Sequence, residues 1–227
     1  MKFHYANLET CHEATGVVVV IDVIRAFTNA AFVFSRGAKE IYPVSGVEEA
    51  LQLKSQVPNS MVCGEVGGVP PEGFDFGNSP TQTDTLDLSG RIIVQRTGAG
   101  TQGIARSMKA TTILAASFVV AGATAKYIQH LKPKEITFVV TGQTYDGGEE
   151  DLACAEYLES VLKSESPNPA PFLVRVRNSH DAEIFFNPDQ PQFLKSDITH
   201  CTNLNKFDFA MPVITENGHH VMRAVKP

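Results

Sequence analysis

The stretch VVVVIDVIRAFTNAAFVFSR, Val17–Arg36, decides how the chain is read. Val17–Ile21 is an unbroken β-branched run, and such a run suits a strand buried on both faces. Asp22 ends it. From Ile24 to Arg36 apolar residues recur at helical spacing, and Gly37 is a suitable stop. A buried strand running into a helix is the first half of a βαβ unit, and the pattern repeats outward from there. Strands are predicted at Lys39–Val44, Ser60–Cys63, Arg91–Gln95, Thr111–Ala115 and Glu135–Val140. Helices are predicted from Ser45 to about Gln56, after Thr101 to about Lys109, over Phe118–Leu131 and over Glu149–Lys163. Ser45 with Glu48 forms a capping-box pattern, and Ser79-Pro80 reads as an N-cap followed by an N1 proline.

Beyond Ser164–Pro171, a polar, proline-rich stretch where the chain could subdivide, the signal weakens, and Phe172–Arg177 fits either strand or helix. Phe207–Thr215 and His219–Val225, joined through Glu216-Asn217-Gly218, read as a hairpin. The expected fold is α/β: three layers, α/β/α, on a mostly parallel, mixed sheet closed by a C-terminal antiparallel hairpin, with residues 1–227 forming one domain.

The chain has 227 residues, of which 43% are hydrophobic and 19% charged, and its formal net charge is −6. That balance suits a globular core, and without a basic tract neither nucleic acid nor an anionic membrane is an expected partner. No signal core or membrane-length apolar run is visible, so the cytoplasm is the expected location. Cys11, Cys63, Cys154 and Cys201 are widely spaced and read as reduced thiols.

In sheets of this kind ligands bind beyond the carboxyl ends of the strands. The loops there are Asp22–Arg25, Gly64–Pro80, Arg96–Thr101 and Thr141–Glu150, and all are rich in polar or charged residues. GEVGGVPPEGFDFGNSP, Gly64–Pro80, is too rich in Gly and Pro for a helix or a central strand, yet it carries Glu65, Glu72 and Asp75. Asp75 sits between Phe74 and Phe76, which would bury the loop and hold the acid. Arg25 suits an oxyanion, the alternative being a structural pair with Asp22. Arg96-Thr97-Gly98-Ala99-Gly100-Thr101 is a second anion candidate, with small residues that let backbone N–H groups approach a ligand. It lacks the Walker lysine and the G-x-G-x-x-G spacing, which argues against ATP or NAD. Asp146, Glu149, Glu150 and Asp151 surround a helix start. They either offset the helix dipole or include ligands for Mg²⁺, which takes one or two carboxylates and keeps waters.

Arginines and amides for an anion, with carboxylates for a divalent cation, point to phosphoryl chemistry. A cysteine phosphatase is excluded, because Phe207 stands where Cys201 would need an arginine. A haloacid-type aspartyl phosphatase needs D-x-D, and Asp22-Val23-Ile24 lacks the second acid. His219 and His220 are adjacent in a predicted strand and point to opposite faces. A rival reading is an anion sensor without turnover, but acids beside a phosphate repel it unless a cation intervenes, and their number favours a metal enzyme.

Taken together, VVVVIDVIRAFT, GEVGGVPPEGFDFGNSP, QRTGAGTQGI, EEDLACAEYL and FDFAMPV resemble, in this order, the 2-phosphosulfolactate phosphatase family, over about Val17 to Val225. The resemblance implies a Mg²⁺-dependent hydrolase that takes 2-phospho-3-sulfolactate, a small anionic phosphoester, to 3-sulfolactate and inorganic phosphate. In methanogens that step leads to coenzyme M. It implies catalytic roles for Asp22, Glu65 and Asp75, and substrate binding by Arg25, Asn78, Ser79, Arg96, Thr97, Gly98, Gly100 and Thr101. Metal ligation would come from Asp22, Glu65, Asp146, Glu149 and Glu150. Many relatives carry an Asn-Gly-Thr loop where this chain has Thr97-Gly98-Ala99-Gly100-Thr101, a departure that would alter the shape of the substrate pocket. The expected chemistry is attack by a metal-activated water, with a phospho-aspartate at Asp22 as the alternative. A phosphatase for another small phosphoester stays open beside it. A homodimer is the default assembly.

Overall fold

The structure is a computed structural model that describes residues 1–142 and 148–227. Its first strand, β1 (Lys2–Ala6), has no apolar run to announce it and forms one edge of the sheet. The valine run forms β2 (Gly16–Ile21), and α1 (Ala26–Ser35) follows. Then come β3 (Glu40–Val44), α2 (Val47–Gln56), β4 (Ser60–Gly64) and the short α3 (Pro80–Thr83). Next are β5 (Ile92–Arg96), α4 (Gly100–Arg106), β6 (Ala110–Ala116), α5 (Ala121–Leu131) and β7 (Glu135–Val140). Helices α6 (Glu149–Leu162), α7 (Ala170–Arg177), α8 (His180–Glu183) and α9 (Lys195–Cys201) precede the hairpin β8 (Met211–Glu216) and β9 (His219–Met222).

The β-branched run of β2 is explained by burial on both faces. Val18 and Val20 pack with Phe27, Ala30 and Ala31 of α1, while Val17, Val19 and Ile21 pack with Ala125 and Ile128 of α5 and Leu158 of α6. Each such side chain contributes about 1.5–3 kcal/mol when fully buried. The result is an α/β fold on a mixed, mostly parallel sheet.

Among the described residues nine strands run in the order β1-β7-β2-β6-β8-β9-β3-β5-β4. The blocks β1-β7-β2-β6 and β3-β5-β4 are parallel within themselves. The C-terminal hairpin lies between them, antiparallel on both flanks. Its β9 meets β3 through the single pair Ile41–Met222. Three antiparallel ladders separate the blocks, which in a flat sheet would send their carboxyl ends in opposite directions. Those ends nevertheless meet, at Asp22 and Gly100, so the sheet coils strongly where that narrow junction lies.

Several local expectations shift. The acid that caps α2 is Glu49, not Glu48: its Oε2 accepts the Ser45 and Gly46 N–H groups and the Ser45 hydroxyl at 3.1–3.2 Å. Phe118–Val120 is a 3₁₀ turn leading into α5. Phe172–Arg177 falls inside α7, which packs back on α6 through an edge contact of Phe172 with Tyr157 at 5.6 Å. The hairpin starts at Met211, because Phe207 and Phe209 stack on each other and pack against Phe32 and Phe34 of α1. Asn217 and Gly218 both have positive φ, as a tight Asn-Gly turn requires.

Candidate active site at the strand ends

Asp22 stands at the carboxyl end of β2, nearly buried. Its Oδ1 accepts the Ala26 N–H at 2.8 Å, and the Gly100 N–H lies close enough to the carboxylate to oppose the rise in its pKa. Burial, with the Glu65 charge added, pushes its carboxyl up to about 6 against the pull of those N–H groups. Gly100 is required there: a Cβ on it would lie 2.7 Å from Asp22 Oδ2 and 2.9 Å from the Ala26 Cβ.

Glu65 follows β4. Its Oε1 accepts the Gly98 N–H at 2.5 Å and its Oε2 the Gly68 N–H at 2.7 Å. One carboxylate thereby ties the acidic loop to the glycine-rich loop after β5. Arg96 serves the same junction: it donates to the Glu65 carbonyl at 2.7 Å and to the Ser45 carbonyl at 3.2 Å.

Asp22, Ile24, Arg25, Glu65, Gly67, Gly68, Asn78, Gly98 and Ala99 line a cavity of about 290 Å³, completed by Asp181, Ile184, Phe185 and Phe193. Three loops singled out in the sequence converge here. The fourth wall comes from the 180–201 region, whose signal was weak.

Arg25 is buried and does not pair with Asp22. It donates from Nη1 to Asp197 Oδ2 at 2.8 Å and from Nη2 to the Gly68 carbonyl at 3.1 Å. Its guanidinium lies 5.0 Å from the Phe185 ring centroid and 5.5 Å from that of Phe193. The Ile24–Arg25 peptide is cis. Arg25 is the one cationic side chain among the described residues that line the cavity.

Other expected site residues fall elsewhere. Asp75 is not among the lining residues. It pairs with Lys54 at 2.8 Å and accepts the Val62 N–H at 2.7 Å, which holds the loop onto β4. The Ser79 hydroxyl bonds Asp197 Oδ1 at 2.7 Å and caps α3, so its contact is with a buried carboxylate. Thr97 and Thr101 bond each other's backbone and hydroxyl groups and shape the turn into α4 from a buried position. Asn78 lines the cavity, and its buried Oδ1 has no hydrogen-bond partner among the described residues.

The acids at the start of α6 separate into different environments. Asp146 lies outside the described residues. Glu149 is exposed and pairs with Arg175. Asp151 is buried and anchors the strand ends: it accepts N–H groups from Val23 at 2.7 Å, Gly142 at 2.9 Å and Thr141 at 3.2 Å. Glu150 is buried, and its Oε2 has no hydrogen-bond partner among the described residues. Burial, with the charges of Asp151 and Asp181 beside it, pushes Glu150 up to about 10.

Asp181, Phe185, Phe193 and Asp197 were missed from sequence. The paired Phe185-Phe186 in an otherwise polar stretch was the only local hint. Among the described residues no three His, Cys, Asp or Glu side chains converge closely enough to hold a metal ion by themselves. The donors at the cavity are nonetheless all hard oxygens. They include the unpartnered Asn78 Oδ1 and two carboxylates raised or restrained by their neighbours, a set that suits a divalent cation keeping several waters.

Fold and cavity together define an α/β protein with a small cavity at its strand ends, lined by the carboxylates of Asp22, Glu65 and Asp181 and by Arg25. A family profile described as 2-phosphosulpholactate phosphatase matches residues 3–217. The chain is 34% identical over 196 residues to a protein of Bacillus subtilis (strain 168) described as a probable 2-phosphosulfolactate phosphatase, with 86% of each chain covered. A protein of Carboxydothermus hydrogenoformans with the same description is 31% identical over 220 residues, 89% of this chain and 86% of that one. One of Thermus thermophilus is 33% identical over 169 residues, 72% of this chain and 70% of that one. The chain belongs to the 2-phosphosulpholactate phosphatase family. Among its described residues no helix is long and apolar enough to cross a membrane.

Proposed function

We propose that this chain is a Mg²⁺-dependent phosphoric monoester hydrolase that converts 2-phospho-3-sulfolactate and water to 3-sulfolactate and inorganic phosphate. The charge balance of the cavity carries the reading. Asp22, Glu65 and Asp181 line it, while the charge of Arg25 is already matched by Asp197. A polyanionic phosphoester would be repelled from those walls unless a divalent cation entered with it.

Asp22, Glu65 and the Asn78 amide oxygen are the residues that would hold the ion. Bound there, it would polarise the phosphoryl group and lower the pKa of a coordinated water. The remaining work falls to the chain. The Gly98 and Gly68 N–H groups fix the orientation of Glu65. Arg25 offers the rest of its fork to an anionic group of the substrate. Phe185 and Phe193 cover the guanidinium and exclude water from that wall. With Asp22 assigned to hold the ion, we read the attack as that of water and not as formation of a phospho-aspartate at that residue. Asp181, which also lines the cavity, is the carboxylate we assign to take up the proton of the attacking water.

A second reading has its own support. Ile24, Ile184, Phe185 and Phe193 make one wall apolar, which suits a phosphorylated hydroxy acid without the sulfonate. The experiment is phosphate release from 2-phosphosulfolactate, phospholactate and an aryl phosphate, with Mg²⁺ and with EDTA. Metal-dependent turnover selective for the sulfonated ester supports the first reading. Preference for phospholactate moves the assignment to the second, and binding without turnover leaves an anion sensor.

A further inference from the structure

Asp197 is wholly buried on α9, far from the acidic loops in sequence, yet it joins three elements of the site. Its Oδ2 accepts Arg25 Nη1 at 2.8 Å. Its Oδ1 accepts the Ser79 hydroxyl at 2.7 Å and the Thr81 N–H at 3.0 Å. A buried ion pair is weak evidence for stability alone, because well-packed apolar residues often replace one without loss. What the pair adds here is direction. A guanidinium has five N–H donors in a fixed plane. Asp197 takes one on Nη1, the Gly68 carbonyl takes one on Nη2, and Phe185 and Phe193 lie against the group. Every rotation of the group is thereby blocked, while Arg25 itself still lines the cavity. The chain Asp197–Arg25–Gly68–Glu65–Gly98 then runs hydrogen bond by hydrogen bond from α9 to the glycine-rich loop.

Resting on the phosphatase reading, we propose that Asp197 is a positioning residue: it aims the unused N–H groups of Arg25 at an anionic group of the substrate. It touches no substrate atom itself.

The test combines steady-state phosphate release from 2-phosphosulfolactate under saturating Mg²⁺ with calorimetric binding of 3-sulfolactate and of inorganic phosphate. The variants are Asp197→Asn, Arg25→Lys and the double variant. Asp197→Asn is expected to lower kcat/KM by about tenfold to a hundredfold, mostly through KM, since small misplacements of a binding group have effects of that size. The double variant is expected to be no worse than Arg25→Lys alone, because the two residues act as one unit. Effects that multiply, or a lowered melting temperature with KM unchanged, would overturn the proposal. Should Asp197→Asn fail to fold, Ser79→Ala keeps the charge and removes one of its hydrogen bonds. A KM raised about threefold supports the proposal, on the scale of one weakened hydrogen bond, and an unchanged KM overturns it. If the wild type hydrolyses no phosphoester, the activity reading fails and binding alone decides. 3-Sulfolactate or phosphate held more weakly by Asp197→Asn upholds the positioning role. Equal binding, or none in the wild type, ends it.

Discussion

Phe193 occupies the space that a side chain on Gly68 would need. A Cβ built there lies 2.4 Å from the Phe193 Cε1, and the glycine has φ +86°. The same ring lies against Arg25, whose Nη2 donates to the Gly68 carbonyl. The acidic loop and the C-terminal helical wall are therefore fitted to each other through one missing methyl group.

Gly68→Ala is accordingly expected to cost about 2–4 kcal/mol, from the ring displacement and the left-handed backbone together, and to lower kcat/KM as Phe193 leaves Arg25. Gly67 also has positive φ, +61°, but nothing among the described residues lies within 4 Å of its Cβ position. Gly67→Ala should cost only about 1 kcal/mol. Urea unfolding of both variants checks the contrast, and equal losses would remove Phe193 from the explanation.

Glu150 gives the fold a pH dependence. Its pKa in the folded protein lies above the ordinary 4.5 and reaches about 10, because burial and neighbouring acids disfavour its charge. The folded state therefore binds the proton more tightly than the unfolded chain. The stabilisation is complete below the unfolded pKa and is lost as pH climbs toward the folded one. Glu150→Gln keeps a neutral side chain at every pH. Its melting temperature should fall less steeply than that of the wild type between about pH 5 and 9. Parallel curves would show that Glu150 does not carry this dependence.

A cation held by Asp22 and Glu65 would bind only the folded protein. At a hundred times its dissociation constant it would add about 2.7 kcal/mol of stability, a rise of roughly 5–10 °C for a chain of this size. Asp22→Asn is expected to abolish that rise and to lower phosphate release by at least about a hundredfold. A Mg²⁺ shift of the same size in the variant would place the ion elsewhere.

Asp75→Asn separates the two readings of the acidic loop. The Asp75–Lys54 pair is partly exposed, and the carboxylate also accepts the Val62 N–H. Loss of that charge should cost about 1 kcal/mol and leave kcat/KM within about twofold, on the scale of a substitution away from the reacting groups. A collapse of turnover in a protein that still melts normally would return Asp75 to the reaction.

Asp22 and Asp75 show what could be read from the sequence and what could not. Both are acids flanked by apolar residues, Asp22 closing the β2 run and Asp75 lying between Phe74 and Phe76 in the acidic loop, and neither setting shows which of them faces the cavity. Their roles diverge because one meets Glu65 and Gly100 across the sheet while the other meets Lys54 of α2. The valine run of β2 was legible because burial on both faces leaves a mark in every residue. The turn at Asn217-Gly218 was legible because its backbone angles demand those residue types. The place of that hairpin, between β6 and β3, was not. It depends on which strand edges are free in three dimensions, and Ile41 and Ile113 look like any other strand residues. Asp197 and Phe193 lie on or beside short helices whose patterning is too weak to show what they face.

The position of the hairpin sets the order of synthesis against the order of assembly. On a growing chain the flanks of β3 and β6 emerge early, but the partners that cover them, Met222 at Ile41 and Val213 at Ile113, are translated after every other strand of the described sheet. Until then the nascent protein carries two open strand edges, each a template for pairing with another chain. A lag before the hairpin is translated, or a message cut short before β8, would leave a product with most of its core and both edges bare. For this chain, the closing of the sheet depends on when the β8–β9 hairpin is delivered as well as on the stability of the finished sheet.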